Sequence, residues 1–580
     1  MPAGDSRHFV PTQLDFGAAA GINARVRYSK PLVCVLLLCS LPAWSQAPES
    51  VHYELTPEVE TGRLRVEMSW DTVGRTLSAV FIAPRWGTVE NVAAQVRDLK
   101  FEGGVTGVRK QETVWLLQHG RGATVTCSYE IDPGRRTLEW DAPHAPVTTR
   151  SFFHGVGNTF LIVPIAGAGM PERYNVLLRW HLPPRWDAVC SWGSGPVVAD
   201  ELAPADVRNS VYLAGRIVSR TVESEGHKIT VALVDRFGFR ADEFAALAAK
   251  IVGLECRFMG ETDFPPLVVA AAPVGDAIGA QDARLVGMGL YRSFDLLAAP
   301  ASTLNDGFES LFAHELFHHW NGSLLKASEP DKLVYWFIEG FTDYYSLRIL
   351  YESGYWSAST YAKWINRHLR QYQNNPAINA TNEQIAERYW HERDTVGEIP
   401  YQRGVLLGLR WHRLARQHGI SDGLDRLFKA LVALGRTGGF ELSNAAIRET
   451  GLRVLGDWFG AEFDRYVTAA ETIEVPRDAL APELVADYER VYEYELGFDA
   501  QKAARDKRIR KLVRGSAAEK AGLREGDQLV AAKVHADADQ QIELEVRRGE
   551  QVKSIRYYPR GRRTLALQFH PTNSREPSAP

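Results

Sequence analysis

The chain has 580 residues, 45% of them hydrophobic and 24% charged, with a formal net charge of -4. This is ordinary globular composition, long enough for three or four domains with large cores. The near balance of charge, with no long basic run, argues against a nucleic-acid partner and against a polybasic membrane surface.

Taken in chain order, residues 1–45 read as a leader and signal peptide. Arg25, Arg27 and Lys30 precede the apolar run Leu32 to Leu41, and Pro42-Ala43-Trp44-Ser45 offers small residues for cleavage. The run is short for a bilayer span, so a cleaved export signal is expected and no stable membrane span. The long lead before Arg25 places the true start near Val26, and Leu38 before Cys39 is unlike a lipoprotein signal. Beyond the leader stand only Cys127, Cys190 and Cys256, too few for a disulfide framework and without metal-binding spacing.

Residues 50–220 alternate in strand period. Leu64, Val66, Met68 and Trp70 do so, as do Val125, Cys127, Tyr129 and Ile131, and Tyr174, Val176, Leu178, Trp180 and Leu182. With turns such as Asp132-Pro133-Gly134 between them, they predict an antiparallel β-sandwich that serves as a scaffold. Mixed elements follow over 221–475: strand period at Ile229, Val231 and Leu233, a helix over 241–256, and a buried strand over 267–272.

The chemistry concentrates in His314-Glu315-Leu316-Phe317-His318. Asn305 or Asp306 is a fitting N-cap, and Phe308, Leu311, Phe312 and Leu316 keep helical spacing toward Gly322. On a helix, His314 and His318 share one face and can offer imidazole nitrogens to one tetrahedral cation, with Glu315 beside them. Zinc with three protein ligands keeps a fourth position for water and lowers the water pKa to about 7, and Glu315 would take the proton. A second apolar segment, 333–350, carries just two acids, Glu339 and Asp343, four residues apart. On a helix both face one way, so Glu339 can be the third ligand while Asp343 accepts the free N–H of a ligand histidine.

HELFHHWN at 314–321, followed by WFIEGFTDYY at 336–345, resembles the gluzincin metallopeptidases, and within them the glycyl aminopeptidase family. The resemblance implies a multidomain α+β chain: a β-rich N-terminal domain, a thermolysin-like, mostly helical catalytic domain, and a PDZ domain. It implies one Zn2+ held by His314, His318 and Glu339, with Glu315 as base. It also implies that Tyr401, in Pro400-Tyr401-Gln402-Arg403-Gly404, donates its hydroxyl to the tetrahedral oxyanion, with Arg403 where relatives carry lysine. The family's edge strand is expected over 286–293 with a Gly-Gly-Leu-Glu-His sequence, whose glutamate holds the substrate's α-amine. Here Gly289-Leu290 is followed by Tyr291, so that acid is missing from its usual place; Asp282, Asp295 or an acid of another loop would be the substitute. His319, His391 and His412 are expected to be structural or to line the cleft.

Residues 475–485 read as a linker. Over 486–568, Leu496-Gly497-Phe498 and the run from Val513 to Val530 resemble a PDZ domain, in which Leu496, Gly497 and Phe498 would meet the C terminus of a peptide added as a strand. The tail, 569–580, is expected to be disordered, with Pro and Ser from Asn573 on. The leading reading is an exported aminopeptidase favouring a small N-terminal residue such as Gly or Ala, acting on peptides or proteins. A zinc endopeptidase and a non-catalytic PDZ-containing periplasmic binding protein are the alternatives.

Overall fold

The computed structural model describes residues 15–16 and 50–572, apart from 141, 166–171, 236, 276–284, 329, 393–394 and 535–537. The expected leader thus lies outside the described residues except for Asp15–Phe16, which pair in parallel with Val286–Gly287. The expected tail lies outside them from residue 573.

The N-terminal part is layered in sheets, though not all antiparallel as expected, since 174–180 pairs with 50–58 in parallel. A six-stranded sheet, ordered 197–202, 174–180, 50–58, 63–71, 124–131 and 96–102, lays one face over a four-stranded and a five-stranded sheet. Val66, Met68, Cys127, Tyr129, Val176 and Leu178 fill the space between, all buried. The five-stranded sheet has no solvent face over 152–156 and 211–215, where every residue is buried. Phe153, Tyr212 and Ala214 point into the sandwich, and Phe152, Val211 and Leu213 point the other way, onto the next domain. Alternation thus supplies two apolar faces, one for each neighbour.

That neighbour is a mixed sheet of strands 217–224, 227–234, 267–273, β1 (Leu285–Leu290) and β2 (Ser293–Ala298). Ile217–Ser224 pairs with 227–234, so the change of domain falls near Arg216, a few residues before the expected 221. β1 and β2 form an antiparallel hairpin, with Gly287 opposite Leu296 and Gly289 opposite Phe294. Val286, Met288 and Leu297 face the N-terminal sheet, whereas Phe294 and Leu296 face the helices.

Helices build the other side, among them α1 (Ala241–Met259), α2 (Asp306–Phe317), α3 (Tyr335–Glu352), α4 (Ala358–Asn374) and α5 (Ile399–Gln417). Asn305 caps α2, its side chain accepting from the backbone of Gly307 and Phe308, both at 3.1 Å. Every residue of α3 from Tyr335 to Leu350 is buried, which is why that segment lacks a polar face in sequence. α3 and α5 cross at Gly340 and Gly404. A Cβ at Gly340 would lie 2.5 Å from Gly404 Cα, and one at Gly404 would lie 2.2 Å from the Trp336 carbonyl oxygen, so these glycines set the close approach.

The C-terminal body hangs on a ribbon of β3 (Leu484–Tyr494) and β4 (Arg560–Pro571). Leu484, Leu567 and Phe569 join the catalytic core. Asn366 on α4 accepts from the Phe569 N–H at 2.7 Å and donates to its carbonyl at 2.8 Å. The expected disordered tail from 569 is therefore corrected: Phe569 is buried, and the strand continues to Pro571. The body's own core contains Leu496, Phe498, Ile542 and Leu544. Among the described residues no helix is long and apolar enough to cross a membrane. Cys127, Cys190 and Cys256 are all free and buried.

Candidate metal centre and catalytic site

α2 and α3 lie against one another, and together they gather His314, His318 and Glu339. One ligand-type atom from each lies within 4.8 Å of the others, and all three residues are buried. Glu339 Oε2 stands 3.5 Å from Nε2 of each histidine. The two Nε2 atoms face one another at 3.1 Å. Their outer nitrogens are occupied, His314 Nδ1 by Asp343 Oδ1 at 2.7 Å and His318 Nδ1 by the Asn321 carbonyl at 2.9 Å. Each ring therefore carries its proton on Nδ1 when Nε2 is free to ligate.

The donor set fits a zinc ion. Both oxygens of Glu339 are buried without a hydrogen-bond partner, an arrangement that is costly unless a cation stands between carboxylate and imidazoles. Two imidazole nitrogens and one carboxylate oxygen form the donor set of a catalytic zinc. Burial opposes charge on His314, yet Asp343, and then Glu339 and Glu315, outweigh it and raise its pKa to about 10. Burial likewise opposes ionisation of Glu339, but the two histidines hold its pKa well below the carboxylate range.

Glu315, one residue along α2, turns toward β1 instead. Its Oε2 accepts from the Gly289 N–H at 3.0 Å, while Oε1 is buried and has no partner. Burial raises its pKa, against the pull of His314 and His318. Such a carboxylate is held by one oxygen and free to take a proton at the other. Tyr401, in the first turn of α5, lays its ring alongside His314, centroids 6.1 Å apart and planes 27° from parallel. Its hydroxyl is 3.4 Å from that of Tyr389. Asp343 and Tyr401 thus both lie beside the cluster.

Asn321 is the residue the sequence reading passed over. It is fully buried; its side-chain amide donates to the carbonyls of Phe337 and Ile338 at 2.9 and 3.0 Å and to Thr342 Oγ1 at 3.1 Å, while its own carbonyl orients His318. One side chain therefore ties the end of the histidine helix to the glutamate helix. Asn321-Gly322 is a turn dipeptide, and Gly322 has φ of 153°; that signal could have marked the spot. His319 packs on Phe264, with centroids 4.6 Å apart, and burial lowers its pKa to about 4. His412 is lowered by burial to about 3, and neither histidine joins the cluster.

Other expectations need correction. The edge strand expected over 286–293 stops at Leu290, and Tyr291 faces away from the site. It lies in the turn after β1, its N–H bonded to the Asn209 carbonyl at 2.7 Å and its ring packed on the N-terminal core. The residue facing Glu315 and His318 is Gly289. Asp295 cannot replace the missing acid either, since it points to the other face of the sheet, buried and 2.9 Å from His154 Nε2. Asp282 lies outside the described residues. In the C-terminal body, Leu496 and Phe498 are core side chains, and Gly497 is pressed against Ser516 and Ala518. The chain then forms a helix, Ala500–Asp506.

Residues 307–403 match the family model described as M61 glycyl aminopeptidase. An aminopeptidase N family protein of Idiomarina loihiensis superposes over 89% of this chain and 98% of its own, at 15% identity and a TM-score of 0.65. That likeness is one of fold. An M1 zinc metallopeptidase of Deinococcus radiodurans aligns over 74% of this chain and 95% of its own, at 15% identity and a TM-score of 0.48. No curated protein matches the chain in sequence.

Proposed function

We infer that this chain, whose residues 307–403 carry an M61 glycyl aminopeptidase domain, is an exported zinc metallopeptidase that hydrolyses peptide bonds at the His314, His318 and Glu339 centre. The observation that carries this reading is the buried Glu339 carboxylate, which accepts no hydrogen bond and faces two histidine nitrogens whose other sides are already held.

Bound at these three residues, zinc supplies Lewis acidity, polarising the scissile carbonyl and acidifying water. The chain's own groups do the rest. Glu315 takes the water proton on its free Oε1 while the Gly289 N–H steadies Oε2, and it then passes the proton to the departing amine. A pKa raised by burial makes it the stronger base for that task. Tyr401 donates its hydroxyl to the oxygen that gains charge in the transition state, an interaction absent from the ground state and so one that accelerates reaction. Asp343 and Asn321 fix the two imidazoles. Small N-terminal residues such as Gly or Ala are the expected substrates, in keeping with the family's description.

We assign the leader to export, after which residues 1–45 are removed, and the C-terminal body to a PDZ-like module that buttresses α4 through Asn366 and Phe569. The test of the catalytic proposal is Glu315→Gln, which should retain zinc by elemental analysis while losing at least about 10²-fold in kcat on an alanyl amide. Turnover at the wild-type rate in that variant would refute it.

A further inference from the structure

We propose that Tyr389 is a positioning residue for the oxyanion step: its hydroxyl donates to that of Tyr401 and so makes Tyr401 the stronger donor to the substrate oxygen. This deepens the peptidase reading above and rests on it.

Three segments far apart in the chain bring the two hydroxyls together. Tyr401 stands in the first turn of α5, and Tyr389 closes a short helix, Asn382–Arg388. A capping box starts that helix: Thr381 Oγ1 accepts from the Gln384 N–H at 3.3 Å, and Gln384 Oε1 accepts from the Thr381 N–H at 3.0 Å. The same end is tied to α5 by Arg403, whose buried guanidinium donates to the Ala380 carbonyl at 2.8 Å and reaches the Ile378 carbonyl and Asn382 Oδ1, each at 3.4 Å. From the third segment, the start of α3, the ring of Tyr335 meets that of Tyr389 edge to face, with centroids 5.1 Å apart and planes at 80°. Tyr335 is itself held, its hydroxyl donating to Asp331 Oδ2 at 3.0 Å. Tyr389 is fully buried. It is thus fixed against the two helices that carry Glu339 and Tyr401.

The chemistry follows from what a phenol can do. Its O–H donates once and its oxygen accepts. Tyr401, lying alongside His314, gives its proton to the hydrogen bond with the substrate oxygen, and its own oxygen is left to accept. The Tyr389 hydroxyl stands 3.4 Å away, at the long end of such a contact. Accepting a hydrogen bond polarises the Tyr401 O–H, so each bond of the chain strengthens the next. As negative charge builds on the substrate oxygen the pair draws closer, and its contribution is greatest in the transition state. No proton passes between the tyrosines, and the bonds made and broken are those of the hydrolysis itself.

The test is Tyr389→Phe, which keeps the ring against Tyr335 and removes only the hydroxyl. Wild type, Tyr389→Phe, Tyr401→Phe and the double variant are compared by steady-state kinetics on an alanyl chromogenic amide, with circular dichroism and melting as the check on folding. Tyr389→Phe should lower kcat about 3- to 10-fold, the range of one neutral hydrogen bond, with KM within about twofold of wild type. In the Tyr401→Phe background the same change should have no effect, because the hydroxyl it acts through is gone. An unchanged kcat in Tyr389→Phe would overturn the inference. So would an equal loss in the Tyr401→Phe background, which would mean that Tyr389 acts through packing or on the substrate directly. If Tyr401→Phe itself kept the wild-type kcat, the oxyanion role in the reading above would fall and take this inference with it.

Discussion

Asp343→Asn isolates the contribution of one buried hydrogen bond to the metal centre. Asp343 Oδ1 accepts from His314 Nδ1 at 2.7 Å, with both side chains almost fully buried. Its Oδ2 has no hydrogen-bond partner and lies 4.0 Å from Nε2 of His368. Burial lowers the His368 pKa to about 4, so that ring is neutral near pH 7 and can accept a hydrogen bond. An asparagine can therefore keep its oxygen toward His314 and turn its NH2 toward His368, which preserves the fold. What is lost is charge. A hydrogen bond to a charged group contributes about 1.5–3 kcal/mol and a neutral one about 0.5–1.5 kcal/mol. The difference, about 1–1.5 kcal/mol, is roughly 5- to 12-fold in binding. Outer partners of zinc-ligating histidines generally contribute about 10- to 100-fold. Zinc affinity is thus expected to fall about tenfold, measured by competition with a chromogenic chelator on stripped protein whose circular dichroism matches the wild type. An affinity within twofold of wild type, in a folded variant, would refute the role given to Asp343.

Tyr401→Phe should lower kcat by about 10²- to 10³-fold with little change in KM, the signature of a donor used only in the transition state; steady-state kinetics giving an unchanged kcat would remove Tyr401 from the mechanism. Gly340→Ala would drive a methyl group to 2.5 Å from Gly404 Cα and the Pro400 carbonyl; the helices must part, costing about 1–3 kcal/mol of stability in thermal unfolding and carrying Tyr401 away from His314. A Gly340→Ala protein with wild-type melting and kcat would show that this crossing is not tight. Glu255 gives a pH prediction. Burial raises its pKa well above the carboxylate range, with only His314 pulling the other way, and neither of its oxygens has a hydrogen-bond partner. The folded protein thus keeps a proton that the unfolded chain releases near pH 4.5, so the stability this group contributes is complete below that pH and is lost as pH rises toward the folded pKa, by up to about 1.4 kcal/mol per pH unit. Glu255→Gln should remove that slope, making the variant's melting advantage larger at pH 8 than at pH 5; parallel melting curves would refute the assignment.

The metal half of the site was legible because local geometry fixes it. Four residues of helix bring His314 over His318, and four more bring Glu339 over Asp343, whatever the rest of the fold does. The all-round apolar character of α3 announced a buried helix, so its two acids stood out. The packing that joins these helices was not legible. Gly340 and Gly404 sit within recognisable motifs, but that each faces the other at contact distance is a property of two segments far apart in sequence. The same holds for Asn321, whose amide reaches residues 16 to 21 positions away.

Register is where the sequence reading failed, and the reason is physical. Val286-Gly287-Met288-Gly289-Leu290 has no polar residue to mark a solvent face, and β1 is covered on one face by the N-terminal sheet and on the other by α2. Period two then cannot say which residues look at the catalytic base. A glutamate expected at 291 would have faced the same way as Gly289 only in a continuous strand, yet the strand ends at Leu290 and the chain turns, with Arg292 at φ 47°. Tyr291 is thereby carried to the Asn209 carbonyl and the N-terminal core. The cluster of His314, His318 and Glu339 is set by helix geometry within short segments, whereas the residue that faces Glu315 is set by where a glycine-rich strand stops, and that is decided by the sheet packed behind it.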